Sequence, residues 1–183
     1  MISLFIVGTH LFRKYQFQKR VEASNIYQSM LAAVQNENLD KVKALGIQLE
    51  NCYKETPYAQ LSALILAKIA VDEGNIQAAI VELRQVFCTC GQTLLSHVAK
   101  IRLARLLHAI GDNKTALKEL EGSKNGYEAL YEEVKGDIYL TLNQEDKAKK
   151  AYQNAVSISQ GVNKLPWLQL KLLDLSMREE KIA

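Results

Sequence analysis

The side chains best suited to chemistry are three histidines, His10, His97 and His108, and three cysteines, Cys52, Cys88 and Cys90. The histidines lie in separate segments and form no His-x-x-x-His pair, so no helical metal site is written into the chain. No Cys-x-x-Cys occurs, which removes a zinc ribbon and a thioredoxin-type redox centre. An odd count is no disulfide framework. Buried or half-buried thiols acting as small hydrophobes are expected, with a strained Cys88–Cys90 bridge as the redox alternative. Adjacent acids occur at Glu132-Glu133 and Glu179-Glu180. Neighbours on a helix diverge by about 100°, so these read as solvated faces rather than acid/base couples. The run from Glu145 to Lys150 puts its acids first, as suits the start of a helix. Gly-x-Ser-x-Gly, Walker A and Gly-x-Gly-x-x-Gly motifs are missing. The expectation is a non-enzyme with no metal and no cofactor.

The elements that carry these residues are helical by composition. Ala, Leu, Glu, Lys and Arg make up 82 of 183 residues, and these are the strong helix formers. Nine glycines and two prolines leave few breakers, so the fold class is all-α. A hydrophobic content of 48% supports a sizeable core and excludes disorder. With 23 basic against 20 acidic residues, the chain is too balanced for a dedicated nucleic-acid binder.

Turn signals recur at Asn36-Glu-Asn38, Glu73-Gly74-Asn75, Gly111-Asp-Asn113 and Leu142-Asn-Gln144, each between two segments of helical periodicity. Pro57 and Pro166 suit helix starts. Three segments share one register: 61–86, 98–123 and 130–155. Each carries a small residue (Ala67, Ala104, Gly136), an alanine twelve positions on (Ala79, Ala116, Ala148), and a large residue four further (Leu83, Leu120, Tyr152). A weaker unit has Met30 and Val42 at the equivalent places. The unit starts bracket the 34-residue tetratricopeptide period. The expected fold is a tetratricopeptide-like right-handed α-solenoid of helix–turn–helix repeats, residues 21–163. Small residues facing across a pair let the backbones approach, and the large residue fills the adjacent groove.

In such stacks the first helix of each pair lines an inner surface suited to protein partners. Helical spacing projects Leu61, Leu64, Lys68 and Val71 onto it, then Val98, Ile101, Arg105 and His108, then Leu130, Glu133, Asp137 and Leu140. The alternative for Arg105 and Asp137 is a plain ion pair between adjacent repeats. Residues 164–183, with Trp167, Leu168, Leu170, Leu172, Leu173 and Leu175, form a helix that caps the last repeat; the alternative is an exposed partner-docking helix. Residues 1–20 join an apolar run to Arg13, Lys14, Lys19 and Arg20. Twelve apolar residues rise roughly 18 Å as a helix against about 30 Å of bilayer core. This segment reads as the end of a transmembrane helix or as an amphipathic helix packed on a partner, and self-association through it is expected.

These residues resemble the YfgM-type ancillary SecYEG translocon subunits. The similar stretches are Ala23–Gln28, Tyr58–Val86, Ile101–Arg105 with Ala116–Leu120, Val134–Asp137, and the end of the chain from Pro166. The resemblance implies a bitopic inner-membrane protein with a periplasmic tetratricopeptide domain. Its implied partners are the SecYEG translocon, a PpiD-like isomerase and nascent secretory chains, and its implied role is linking secretion to periplasmic chaperones. By this comparison residues 1–12 correspond only to the end of the anchor, so a truncated anchor is expected. A soluble cytosolic adaptor or assembly scaffold is the alternative. The repeat register carries its own test. Ala104→Leu overpacks the contact and costs roughly 1–3 kcal/mol, seen as a lowered melting temperature.

Overall fold

The computed structural model describes the backbone of residues 2–89, 93–122, 126–159 and 166–182, and the side chains of 7–87, 93–122, 126–159 and 166–177. Among these residues all regular structure is helical. The elements are α1 (Ile2–Gln35), α2 (Leu39–Cys52), α3 (Pro57–Asp72), α4 (Ile76–Thr89), α5 (Leu94–Ala109), α6 (Asn113–Glu119), α7 (Glu128–Thr141), α8 (Glu145–Ser159) and α9 (Pro166–Ile182). The chain divides into two compact units, Met1–Ala99 and Lys100–Ala183.

All four turn signals fall between the helices of a pair, and one local geometry repeats at each. Glu37, Gly74, Gly111 and Asn143 adopt positive φ, at 54°, 76°, 85° and 55°. The next residue's N–H then reaches back five positions: Asn38 to the Ala33 carbonyl (3.0 Å), Asn75 to Ala70 (2.8 Å), Asp112 to Leu107 (2.9 Å) and Gln144 to Tyr139 (2.9 Å). This left-handed cap satisfies carbonyls that the ending helix would leave bare. Three of these residues also open the following helix. Asn38, Asn75 and Asp112 accept the N–H of Lys41, Ala78 and Thr115, each at 3.1 Å. One short stretch thus stops one helix and starts the next.

In the first unit the core gathers Ala23, Met30, Ala33, Val42, Leu49, Leu66 and Ile69 from α1, α2 and α3. Met30 and Val42 fill positions that are small in the other pairs, and the size pattern is exchanged. Gly46 stands where the others place Leu83, Leu120 or Tyr152, and Leu66 of α3 fills the space. A Cβ at Gly46 would sit 2.7 Å from Leu66 Cδ1. α3 and α4 are joined by the buried Gln60 amide donating to the Val86 carbonyl (3.0 Å), and Tyr27 of α1 meets Tyr58 of α3 with ring centroids 5.7 Å apart. α1 runs unbroken through residue 20. Its N-terminal part leaves Val7, Leu11, Phe12, Tyr15, Phe17 and Val21 exposed. No helix among the described residues is long and apolar enough to cross a membrane. Cys52, expected to be at least half-buried, is a free and exposed thiol at the end of α2. The Cys88 side chain and Cys90 lie outside the described residues.

In the second unit α7 and α8 lie against each other through Gly136 and Tyr152. A Cβ at Gly136 would come within 2.8 Å of three ring carbons of Tyr152, so only glycine admits the ring. Tyr152 then joins Ala148, Ala155, Leu168 and Leu175 in a core that seats α9 on α8. α6 is short. It holds seven residues where α2, α4 and α8 hold 14, 14 and 15. Leu120, expected inside that helix, is its C-cap and is still buried. A cavity of about 400 Å³ opens beside it, lined by Leu120, Glu128, Tyr131, Glu132, Lys135 and Ile158 among others.

One core contact in the first unit is ionisable. Glu50 of α2 and Glu82 of α4 lie side by side and half-buried. Burial, and then the hydrogen bond to Glu82, push Glu50 up to about 8, and burial raises Glu82 as well. The folded pair therefore holds a proton that an unfolded chain gives up near its ordinary carboxylate range. Its stabilising share is complete below about pH 4.5 and is lost as pH climbs through about 8. In melting curves between pH 5 and 8.5, Glu50→Gln should flatten this decline, gaining on the parent chain as pH rises. An identical slope in both chains would remove the shared proton.

Candidate functional site

The projected inner face contains three kinds of residue. Leu64 and Ile101 are buried core members and not open surface. Lys68 and Val71 in the first unit are exposed, with Lys68 paired to Asp72 one turn on (2.8 Å). Leu61 and Val98 are half-buried.

The charged residues of the second unit are drawn together into one network. Glu133, expected on a solvated face, is 5% exposed. Burying an acid is costly unless cations meet it, and two do. Lys171 of α9 donates to Glu133 Oε1 at 3.0 Å, and Arg105 of α5 comes within 3.9 Å of Oε2. The same Lys171 ammonium donates to both Asp137 carboxylate oxygens, at 2.7 and 3.0 Å. Asp137 also accepts the Tyr152 hydroxyl at 2.6 Å, and Lys171 lies 5.5 Å from the centre of the Tyr152 ring. The Arg105–Asp137 pair, the alternative to a binding role, is thus not formed: Arg105 reaches Glu133, and Asp137 is held by Lys171. One ammonium ties α9 to α7 at two successive turns, over the ring that fills the α7–α8 contact.

The ends of α5 and α7 are joined in a different way. His108 Nδ1 stands 2.6 Å from Asn113 Oδ1, and its Nε2 is 3.3 Å from the Thr141 hydroxyl. Asn113 Oδ1 only accepts, so Nδ1 carries a proton and donates to it, while the Thr141 hydroxyl beside Nε2 also reaches the Asp137 carbonyl at 3.2 Å. Leu130 is half-buried, and Leu140 is half-buried against the core beneath α9. The nine repeat-packing residues (Ala67, Ala79, Leu83, Ala104, Ala116, Leu120, Gly136, Ala148 and Tyr152) are all buried.

Sequence reasoning missed Lys171. Its signal was present: a lone lysine among Leu168, Leu172 and Leu175, on the flank of α9 that turns inward. The charges of this network are spent on each other, and among the described residues no group of three or more His, Cys, Asp or Glu could hold a metal ion. The arrangement fixes helices and presents side chains. The side chains of Glu179 and Glu180 lie outside the described residues.

A family model described as a tetratricopeptide repeat-like domain matches residues 1–177. The ancillary SecYEG translocon subunit of Aggregatibacter actinomycetemcomitans is 30% identical over 151 residues, covering 82% of this chain and 74% of that protein. The protein of the same name from Escherichia coli is 25% identical, covering 94% of this chain and 83% of its own length. Among solved structures, pilF of Pseudomonas aeruginosa superposes with a TM-score of 0.66 at 17% identity, covering 88% of this chain and 71% of that one. That likeness shows the fold.

Lys171→Met keeps the aliphatic stem of the side chain and removes its charge. Glu133 is left with only the distant Arg105, and the expected cost is about 1–3 kcal/mol. Chemical denaturation measures it. Glu133→Gln in the same chain should recover part of the loss, because the buried charge is then gone.

Proposed function

Because the chain belongs to the ancillary SecYEG translocon subunit family and carries its tetratricopeptide repeat-like domain, we propose that it is a non-catalytic docking module of the bacterial secretion machinery. The observation that carries this reading is the near full-length family match, on a fold whose conspicuous ionisable groups are spent holding helices together. What the chain offers to other proteins is surface. Lys68 and Val71 are exposed on α3 and Arg105 on α5. Along α1, Val7, Leu11, Phe12, Tyr15 and Phe17 are exposed, with Arg13, Lys14, Lys19 and Arg20 among and after them.

In this reading the apolar and basic part of α1 lies against the inner membrane, beside the translocon. The helix pairs face the periplasm, where they associate with a PpiD-like isomerase and pass emerging chains to periplasmic chaperones. Self-association of the purified chain through residues 1–20 is the behaviour expected of that surface once membrane and partners are taken away.

The test is site-specific photocrosslinking in native membranes. Probes at Phe12, Lys68 and Arg105 should give adducts with translocon subunits, and the Lys68 and Arg105 probes should also trap secretory chains. If none of the three positions yields a translocon adduct, the reading fails.

A further inference from the structure

α9 is usually the side of the fold one would assign to closure alone, yet it is apolar on two faces. One face is spent. Leu168 and Leu175 are buried in the core on α8, Leu172 packs beside them, and Lys171 reaches Glu133 and Asp137. The opposite face is bare. Trp167 is 44% exposed, Leu170 66%, Leu173 57% and Met177 52%. At 100° per residue these four fall in one stripe roughly 120° wide and about 15 Å long. A helix that only closed a stack would turn polar residues outward.

We propose that this stripe of α9 is a binding surface for short apolar segments of unfolded polypeptides. The inference rests on the docking-module reading and names what one part of the module holds. Size selects the occupant. Four such side chains offer on the order of 400 Å², about half of the roughly 800 Å² that each partner gives to a standard stable interface. A second copy of this chain docked stripe to stripe falls short of that, whereas an apolar stretch of a few residues matches the length and area. Leu and Met are adaptable in shape, as a surface serving many sequences needs.

Trp167 is the sole tryptophan of the chain, so the stripe reports on itself. The full chain is titrated with a Trp-free, uncharged 16-residue peptide of Leu, Ala, Gln and Ser. Binding should move the Trp167 emission to shorter wavelength and lower acrylamide quenching at least twofold. Leu170→Glu and Met177→Glu, both at exposed positions, should each weaken binding tenfold or more with unchanged melting temperatures. Unaltered emission at saturating peptide, or affinity equal to the parent chain's in both variants, overturns the proposal. A shift that follows protein concentration without peptide assigns the stripe to a second copy. One produced by phosphatidylglycerol-containing vesicles alone assigns it to lipid. Either result also overturns it. The docking reading is judged separately, on the parent chain: translocon adducts from Phe12, Lys68 or Arg105 sustain it and their absence strikes it, whatever Trp167 reports.

Discussion

Two helices can approach closely only where one of them has almost no side chain at the crossing. In this protein that constraint is met twice by glycine, and in opposite senses. At Gly136 the first helix of a pair is hollowed and Tyr152 of the second enters. At Gly46 the second helix is hollowed and Leu66 of the following pair enters. The rest of each unit is arranged around such a contact. In the second unit the consequences form a chain: the ring of Tyr152 fills the space, its hydroxyl finds Asp137, Asp137 draws in Lys171, and Lys171 brings α9 down beside α7. The place left by one missing methyl group thereby brings three charged or polar groups together, the Tyr152 hydroxyl, Asp137 and Lys171.

The turns impose a second, independent order. A left-handed residue appears at all four joints within pairs, whether that position holds Gly, Glu or Asn, and at three of them the next side chain caps the following helix. Non-glycine residues are costlier there, and the hydrogen bonds that close around Glu37 and Asn143 are the compensation. Because the same joint recurs, each pair leaves its turn in a similar direction, and the short register of small and large residues can be read in the same phase each time.

This is why so much of the fold was legible in the sequence. Turn residues and alanines act locally, and their spacing survives as a pattern. The all-α class, the four joints, the starts of α3 and α9 at Pro57 and Pro166, and the tetratricopeptide-like pairing could all be read this way. The candidate site was less legible because its residues depend on partners far apart in the chain. Glu133 looked solvated beside Glu132, since nothing near it in sequence announces Lys171, 38 positions away. Leu64 and Ile101 were projected onto an open face by helical phase alone, and phase does not show how deeply a neighbouring helix seats. The exchange of sizes at Met30, Val42 and Gly46 escaped for a similar reason: a glycine in a place otherwise held by large residues looks like a weak repeat until Leu66 is seen entering it.

The brevity of α6 has a consequence of its own. A seven-residue helix contains few complete backbone rings and depends on its neighbours for almost all of its persistence. An open space of about 400 Å³ begins at Leu120, the residue that ends this helix, and is otherwise lined mainly by α7 and α8. The helix's hold on the unit comes from the buried Ala116 and Leu120 rather than from its own length. Lengthening of the chain over the course of descent would be accommodated there with the least disturbance to the buried tyrosine and its charged neighbours.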